Sequence, residues 1–139
     1  MKPDRHRLLR LRRIERIRAI ASHAAAAQAA EAEGTLAQLL ALRERTVDIQ
    51  ASYDPRHADD GASLLHMVRF REGLSRITAQ TDTDIDNART AADRRQDERR
   101  HAEKRRAHAQ DRAEDCRRMI ERGGQFLPTP GRKAIWHDT

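Results

Sequence analysis

Residues 52–61 read Ser52-Tyr53-Asp54-Pro55-Arg56-His57-Ala58-Asp59-Asp60-Gly61, the one internal stretch of this chain dense in helix breakers. Asp-Pro and Asp-Gly both favour turns, and the residue before a proline is pushed out of helical geometry. From Asp4 to Asp54 there is no proline and one glycine, Gly34, a candidate bend; after Pro55 the next proline is Pro128. Two long proline-free stretches around one turn predict a helical hairpin. Helix 1 is expected over about 4–52, the turn over 53–62 and helix 2 over about 63–122, ending at Gly123-Gly124.

Working outward, the stretch after the turn carries an apolar seam at alternating three- and four-residue steps: Met67, Phe70, Leu74, Ile77, Thr81, Ala88, Ala91, Ala102, Ala109, Cys116, Met119. Reflected so that paired numbers add to about 116, its partners are Ile49, Thr46, Leu42, Leu39, Thr35, Gln28, Ala25, Ile14 and Arg7. A heptad pattern facing its own reflection is what two antiparallel helices need, because each seam side chain must find a hole opposite. The fold class is therefore all-α: a long two-helix antiparallel coiled-coil hairpin over 4–122 with a short flexible tail over 123–139. On this register Cys116, Met119 and Ile120 have nothing opposite them, and the hairpin is best zipped near its turn. The tail holds Pro128, Pro130 and the lone Trp136.

Composition supports a narrow seam over a globular core. Of the 139 residues 36% are charged and 3% aromatic, too few large side chains to anchor a three-dimensional core. Charge is unevenly placed: residues 1–18 carry net +6, residues 19–88 net −5 and residues 89–122 net +4. A hairpin sets the first and third segments side by side, giving a basic end where the helix termini meet. One cysteine, Cys116, excludes an internal disulfide framework and fits a reducing compartment. No apolar run reaches the roughly 18 residues of a membrane span, and no hydrophobic signal segment opens the chain. The arginine-rich start resembles a transit peptide, but Asp4, Glu15 and the shortage of serine argue against it.

Catalytic signatures are absent: no phosphate-binding loop, nucleophile elbow or zinc-protease motif occurs. The expectation is a non-enzymatic protein without cofactor, metal or small-molecule substrate. His101 and His108, with Asp111 and Cys116, have looser spacing than a helical metal pair, and His57 with Asp59 and Asp60 in the turn is no better. The arginine clusters of helix 2 raise nucleic-acid binding, but Asp93, Asp97, Glu98 and Glu103 interrupt them and stacking aromatics are missing. Under the reflection, Arg18 faces Glu98, a candidate register-fixing pair in the seam.

The densest local motif is Met67-Val68-Arg69-Phe70-Arg71-Glu72-Gly73-Leu74-Ser75-Arg76-Ile77, with Phe70 and Leu74 in Phe-x-x-x-Leu spacing. With this motif just after its turn, the basic hairpin resembles the FliJ family of flagellar export proteins and their YscO-like relatives in injectisomes. This chain has Met67 and Thr81 where that family often has an aromatic and a histidine. The resemblance implies a soluble stalk that links and stimulates the export ATPase ring and engages the export gate, with export chaperones as further partners. It implies a bacterial cytoplasmic location, at the inner face of the inner membrane through partners only. Phe70 and Leu74 would then serve the gate. The basic end, represented by Arg10, Arg12, Arg13, Arg99, Arg105 and Arg106, would face the ring. The alternatives are a generic coiled-coil scaffold and a basic nucleic-acid-associated coil.

Overall fold

The computed structural model describes the backbone of residues 4–126 and side chains as far as Gly123. Trp136 and the rest of the expected tail from residue 127 lie outside the described residues. The fold is all-α: α1 spans Arg5–Ser52, a single 3₁₀ turn spans Pro55–His57, and α2 spans Gly61–Phe126. The two helices pack antiparallel as a coiled-coil hairpin. α1 is helical through Gly34, and α2 passes Gly123-Gly124, where its end was expected.

The helix starts follow from carboxylate caps. Asp4 Oδ1 accepts the Arg7 N–H, and Asp60 Oδ1 accepts the Ser63 N–H at 2.7 Å. Asp54 does the same for the 3₁₀ turn, accepting the Arg56 N–H at 2.9 Å. These bonds fix the breaker stretch as a defined connection.

The chain divides into two packed units, one of residues 4–24 with 100–126 and the other of residues 25–99. In the first, Leu11, Ala113 and Cys116 form a buried cluster, with Leu8 and Ile120 packed against it. Arg12 bonds Glu114 across the helices at 2.9 Å, and Ser22 Oγ donates to Glu103 at 2.8 Å. In the second unit Ala29 and Ala92 are buried, together with Thr46, Leu74, Thr81 and Ile85. Its cross-helix bonds join Arg95 to Gln28 at 3.1 Å, Arg43 to Asp82, and Gln50 to Ser75 at 2.7 Å.

In both units the cross-helix partners add to about 125, which corrects the expected 116. The expected reflection was centred on the breakers, as if both helices began level with each other. Instead α2 starts at Gly61, and the Gln50–Ser75 bond puts its first three turns ahead of any residue of α1. The connection runs back along that overhang: the Tyr53 ring sits 4.5 Å from that of Phe70. The same offset gives Cys116 and Ile120 partners on α1, so the expected unpaired stripe reduces to Met119, which is exposed.

The seam phase is corrected too. Met67, Leu74, Thr81, Ala88, Ala102, Ala109 and Cys116 lie inward or partly so, but Phe70, Ile77, Ala91 and Met119 are exposed. Their places are taken one residue later by Arg71, Thr78, Ala92 and Ile120, and Ile85 and Ala113, outside the expected seam, are buried too. On α1 the inward set includes Leu11, Ser22, Ala29, Leu36, Leu39 and Thr46, while Ile14, Gln28, Thr35, Leu42 and Ile49 are exposed. Alanine lets helix axes approach closely, and large side chains are then displaced to the flanks of the contact. Apolar size therefore pointed to the wrong one of two equally spaced sets. The buried apolar cluster lies in the unit that holds the helix termini, where the expected seam was small and polar.

Gly34 and Gly73 sit in helix interiors at negative φ, and a Cβ at either meets nothing within 4 Å. Glycine there only adds freedom to the unfolded chain. Gly34→Ala and Gly73→Ala are each expected to raise stability by about 0.5–1 kcal/mol, read as a higher urea midpoint at unchanged slope.

Candidate functional site

Two surfaces collect the residues singled out by the sequence. The first lies near the connection, in the unit of residues 25–99. Leu74 is 9% exposed and belongs to the seam, whereas Phe70 is 40% exposed and rests on Tyr53. Phe-x-x-x-Leu spacing thus does not bring the two side chains to one environment: Leu74 holds the helices together, and Phe70 faces outward. Leu64, Leu65 and Val68 on the overhanging turns of α2 are exposed as well. Beside them a hollow of about 440 Å³ is lined by Gln50, Pro55, Val68, Arg71, Glu72, Ser75 and Arg76. Arg71 Nε is buried there without a hydrogen-bond partner. The sequence reading missed Tyr53 as a member of this surface. Its signal was an aromatic at the last helical turn before a breaker, in a chain with few aromatics to leave exposed.

The second surface is basic. Of the six arginines assigned to it, Arg10, Arg13 and Arg105 are exposed and make no ion pair among the described residues. Arg12 instead bridges Glu15 and Glu114, both at 2.9 Å, and Arg106 is held by Glu103 at 2.6 Å. Arg99 belongs to the other unit and bonds Gln96 at 2.8 Å. Half of the expected cluster is therefore accounted for inside the protein or lies outside the first unit.

Arg18 and Glu98 also fall in different units. Glu98 is paired with Arg94 at 3.3 Å and Arg95 at 3.0 Å, which hold its carboxyl below the usual range, Arg95 chiefly. Arg18 lines a hollow of about 110 Å³ with Leu11, Ile14, Arg105, His108, Ala109 and Arg112. His101, His108, Asp111 and Cys116 gather into no group able to hold a metal among the described residues, and the Cys116 thiol is packed on Leu11 and Ala113.

Glu114 is the hub of the first unit's ion pairs. Hydrogen bonds from Arg12, and then from Arg117 at 3.0 Å, hold its carboxyl below the ordinary glutamate range. A carboxylate favoured in the folded state contributes stability that is complete above its unfolded value and is lost as pH falls through its folded one. Asp54, Asp60 and Glu98 are shifted the same way. The melting temperature is therefore expected to be flat between about pH 7 and 5 and to fall progressively below about pH 4. Arg12→Ala, followed by the same circular-dichroism melts, should shallow that acid limb.

Among the described residues no helix is long and apolar enough to cross a membrane. No family model, curated protein or solved structure matches this chain.

Proposed function

We propose that this chain is a non-enzymatic coiled-coil stalk of a flagellar or type III protein export apparatus, linking and stimulating the export ATPase and engaging the export gate. The observation that carries the reading is Phe70: a large aromatic, backed by Tyr53, left exposed beside the connection. It sits in the segment whose sequence resembles the gate-contacting part of the FliJ family. A half-exposed aromatic on a firm backing is the kind of anchor that dominates protein–protein contacts. Leu74, the other residue of the motif, holds the seam.

Of the six arginines named for the ATPase ring, Arg10, Arg13 and Arg105 have charge to spare. On this reading the protein is bacterial and cytoplasmic, works at the inner face of the inner membrane through its partners, and receives export chaperones there. The experiment is direct. Adding the protein to the export ATPase should raise its hydrolysis rate, and Arg10→Glu with Arg13→Glu should remove that gain while the helix content stays unchanged. No stimulation at saturating concentration overturns the proposal.

A basic nucleic-acid-associated coil is less well supported, because Arg94, Arg95, Arg106, Arg117 and Arg118 are already spent on neighbouring carboxylates. Duplex affinity that falls steeply with salt, by close to one counterion per phosphate neutralised, would favour it instead.

A further inference from the structure

We propose that the hollow between the helices in the unit of residues 4–24 and 100–126 is a docking groove for an acidic amphipathic helix of a partner protein. Several arginines of this unit are held by carboxylates, among them Arg12, Arg106, Arg117 and Arg118. Arg18, Arg105 and Arg112 of the same unit are not. All three are exposed, none has an ion pair among the described residues, and all three line one hollow of about 110 Å³ that contains no carboxylate. Gathering like charges around a recess is unfavourable, and an incoming anion relieves it. His108 on the same rim adds a further hydrogen-bonding group.

The floor decides which anion. It is apolar, made by Leu11 and Ile14, and Ile14 is 42% exposed. Arg112 also lines an adjoining hollow with Arg7, Cys116, Met119, which is 53% exposed, and Asp115, whose carboxylate pairs with Arg118 at 3.6 Å. An apolar floor under a cationic rim matches a ligand that brings carboxylates and aliphatic side chains together at helical spacing. A groove between two helices accepts such a ligand as a third helix, with its apolar anchors inserted and its acids on the rim. Nucleic acid gains nothing from an aliphatic floor, and a bilayer presents its charge in a plane, whereas these arginines line a hollow. Charge and shape together therefore favour the acidic helix. The inference does not rest on the export reading, and a failure to stimulate an ATPase leaves it standing.

The test uses the full-length protein and a fluorescent synthetic peptide with leucines at i, i+4 spacing and glutamates between them, followed by anisotropy. Saturable binding is expected, at least about tenfold tighter than to the same peptide with serine for leucine or lysine for glutamate. Arg105→Glu with Arg112→Glu should weaken it by about tenfold or more, and Ile14→Ser by several-fold. Arg105→Lys with Arg112→Lys should retain most of it, and Arg94→Glu in the other unit should leave it unchanged. Circular dichroism confirms that each variant remains helical, as expected for exposed positions. The proposal is overturned if the acidic amphipathic peptide does not bind, or if the double reversal has no more effect than Arg94→Glu. It is equally overturned if phosphatidylglycerol vesicles or duplex DNA bind more tightly than the peptide.

Discussion

Leu11→Ala is expected to lower the stability of the hairpin by about 2–4 kcal/mol, one of the largest losses a single truncation can produce here. Leu11 is 6% exposed and forms the only buried apolar cluster of its unit among the described residues, with Ala113 and Cys116. Its partners cannot close the gap. Ala113 and Cys116 are small and fixed on one helix, while Leu8 and Ile120 lie at the edge of the cluster. The cavity would open to water, and the transfer energy of the removed carbons would be lost with their contacts. Truncating Ile17 is the control, since it lies on the same helix at 58% exposure and should cost less than about 0.5 kcal/mol. Urea titration followed at 222 nm measures both. Equal midpoints for the two variants would mean that the terminal cluster does not hold the helices together.

That expectation could not have been formed from the sequence, and the reason is physical. The breaker stretch 52–61 and the absence of proline on either side were enough to predict two helices, their antiparallel order and their bounds to within a few residues. Register was not legible, because it depends on where the returning helix starts relative to the end of the first. Cα spacing along an irregular connection leaves that open, and residues 53–60 run back along the overhanging turns of α2. Seam phase was half legible. Positions 67, 74, 81, 88, 102, 109 and 116 hold in either phase, and only the alternate set differs. Size favoured Phe70 and Ile77 over Arg71 and Thr78, whereas small buried residues such as Ala29 and Ala92 favour the opposite choice. The basic surface was legible as composition but not as free charge. Whether an arginine is spent depends on rotamers and on carboxylates such as Glu103 and Glu114, which only the folded chain brings within reach.

Separate roles for Phe70 and Leu74 follow from the same correction. Phe70→Ala should change stability by less than about 1 kcal/mol, because the ring is 40% exposed and its clear contact is Tyr53. An aromatic anchor in a partner's pocket is worth more than its own fold contacts, so on the proposed export reading binding to the gate should fall by tenfold to a hundredfold, about 1.4–2.8 kcal/mol. Leu74→Ala should do the reverse, costing about 2–3 kcal/mol of stability through a cavity in the seam. Any loss of gate binding would then follow the loss of fold and recover under conditions that restore helicity, such as added osmolyte or the background of Gly34→Ala. Tyr53→Ala adds the decisive arm. It leaves both motif residues in place but removes the backing of Phe70, so it should reduce gate affinity without lowering the melting temperature as Leu74→Ala does. Gate binding that tracks stability across all three variants would reduce Phe70 to a flank residue of the seam and leave the gate-binding reading without its anchor.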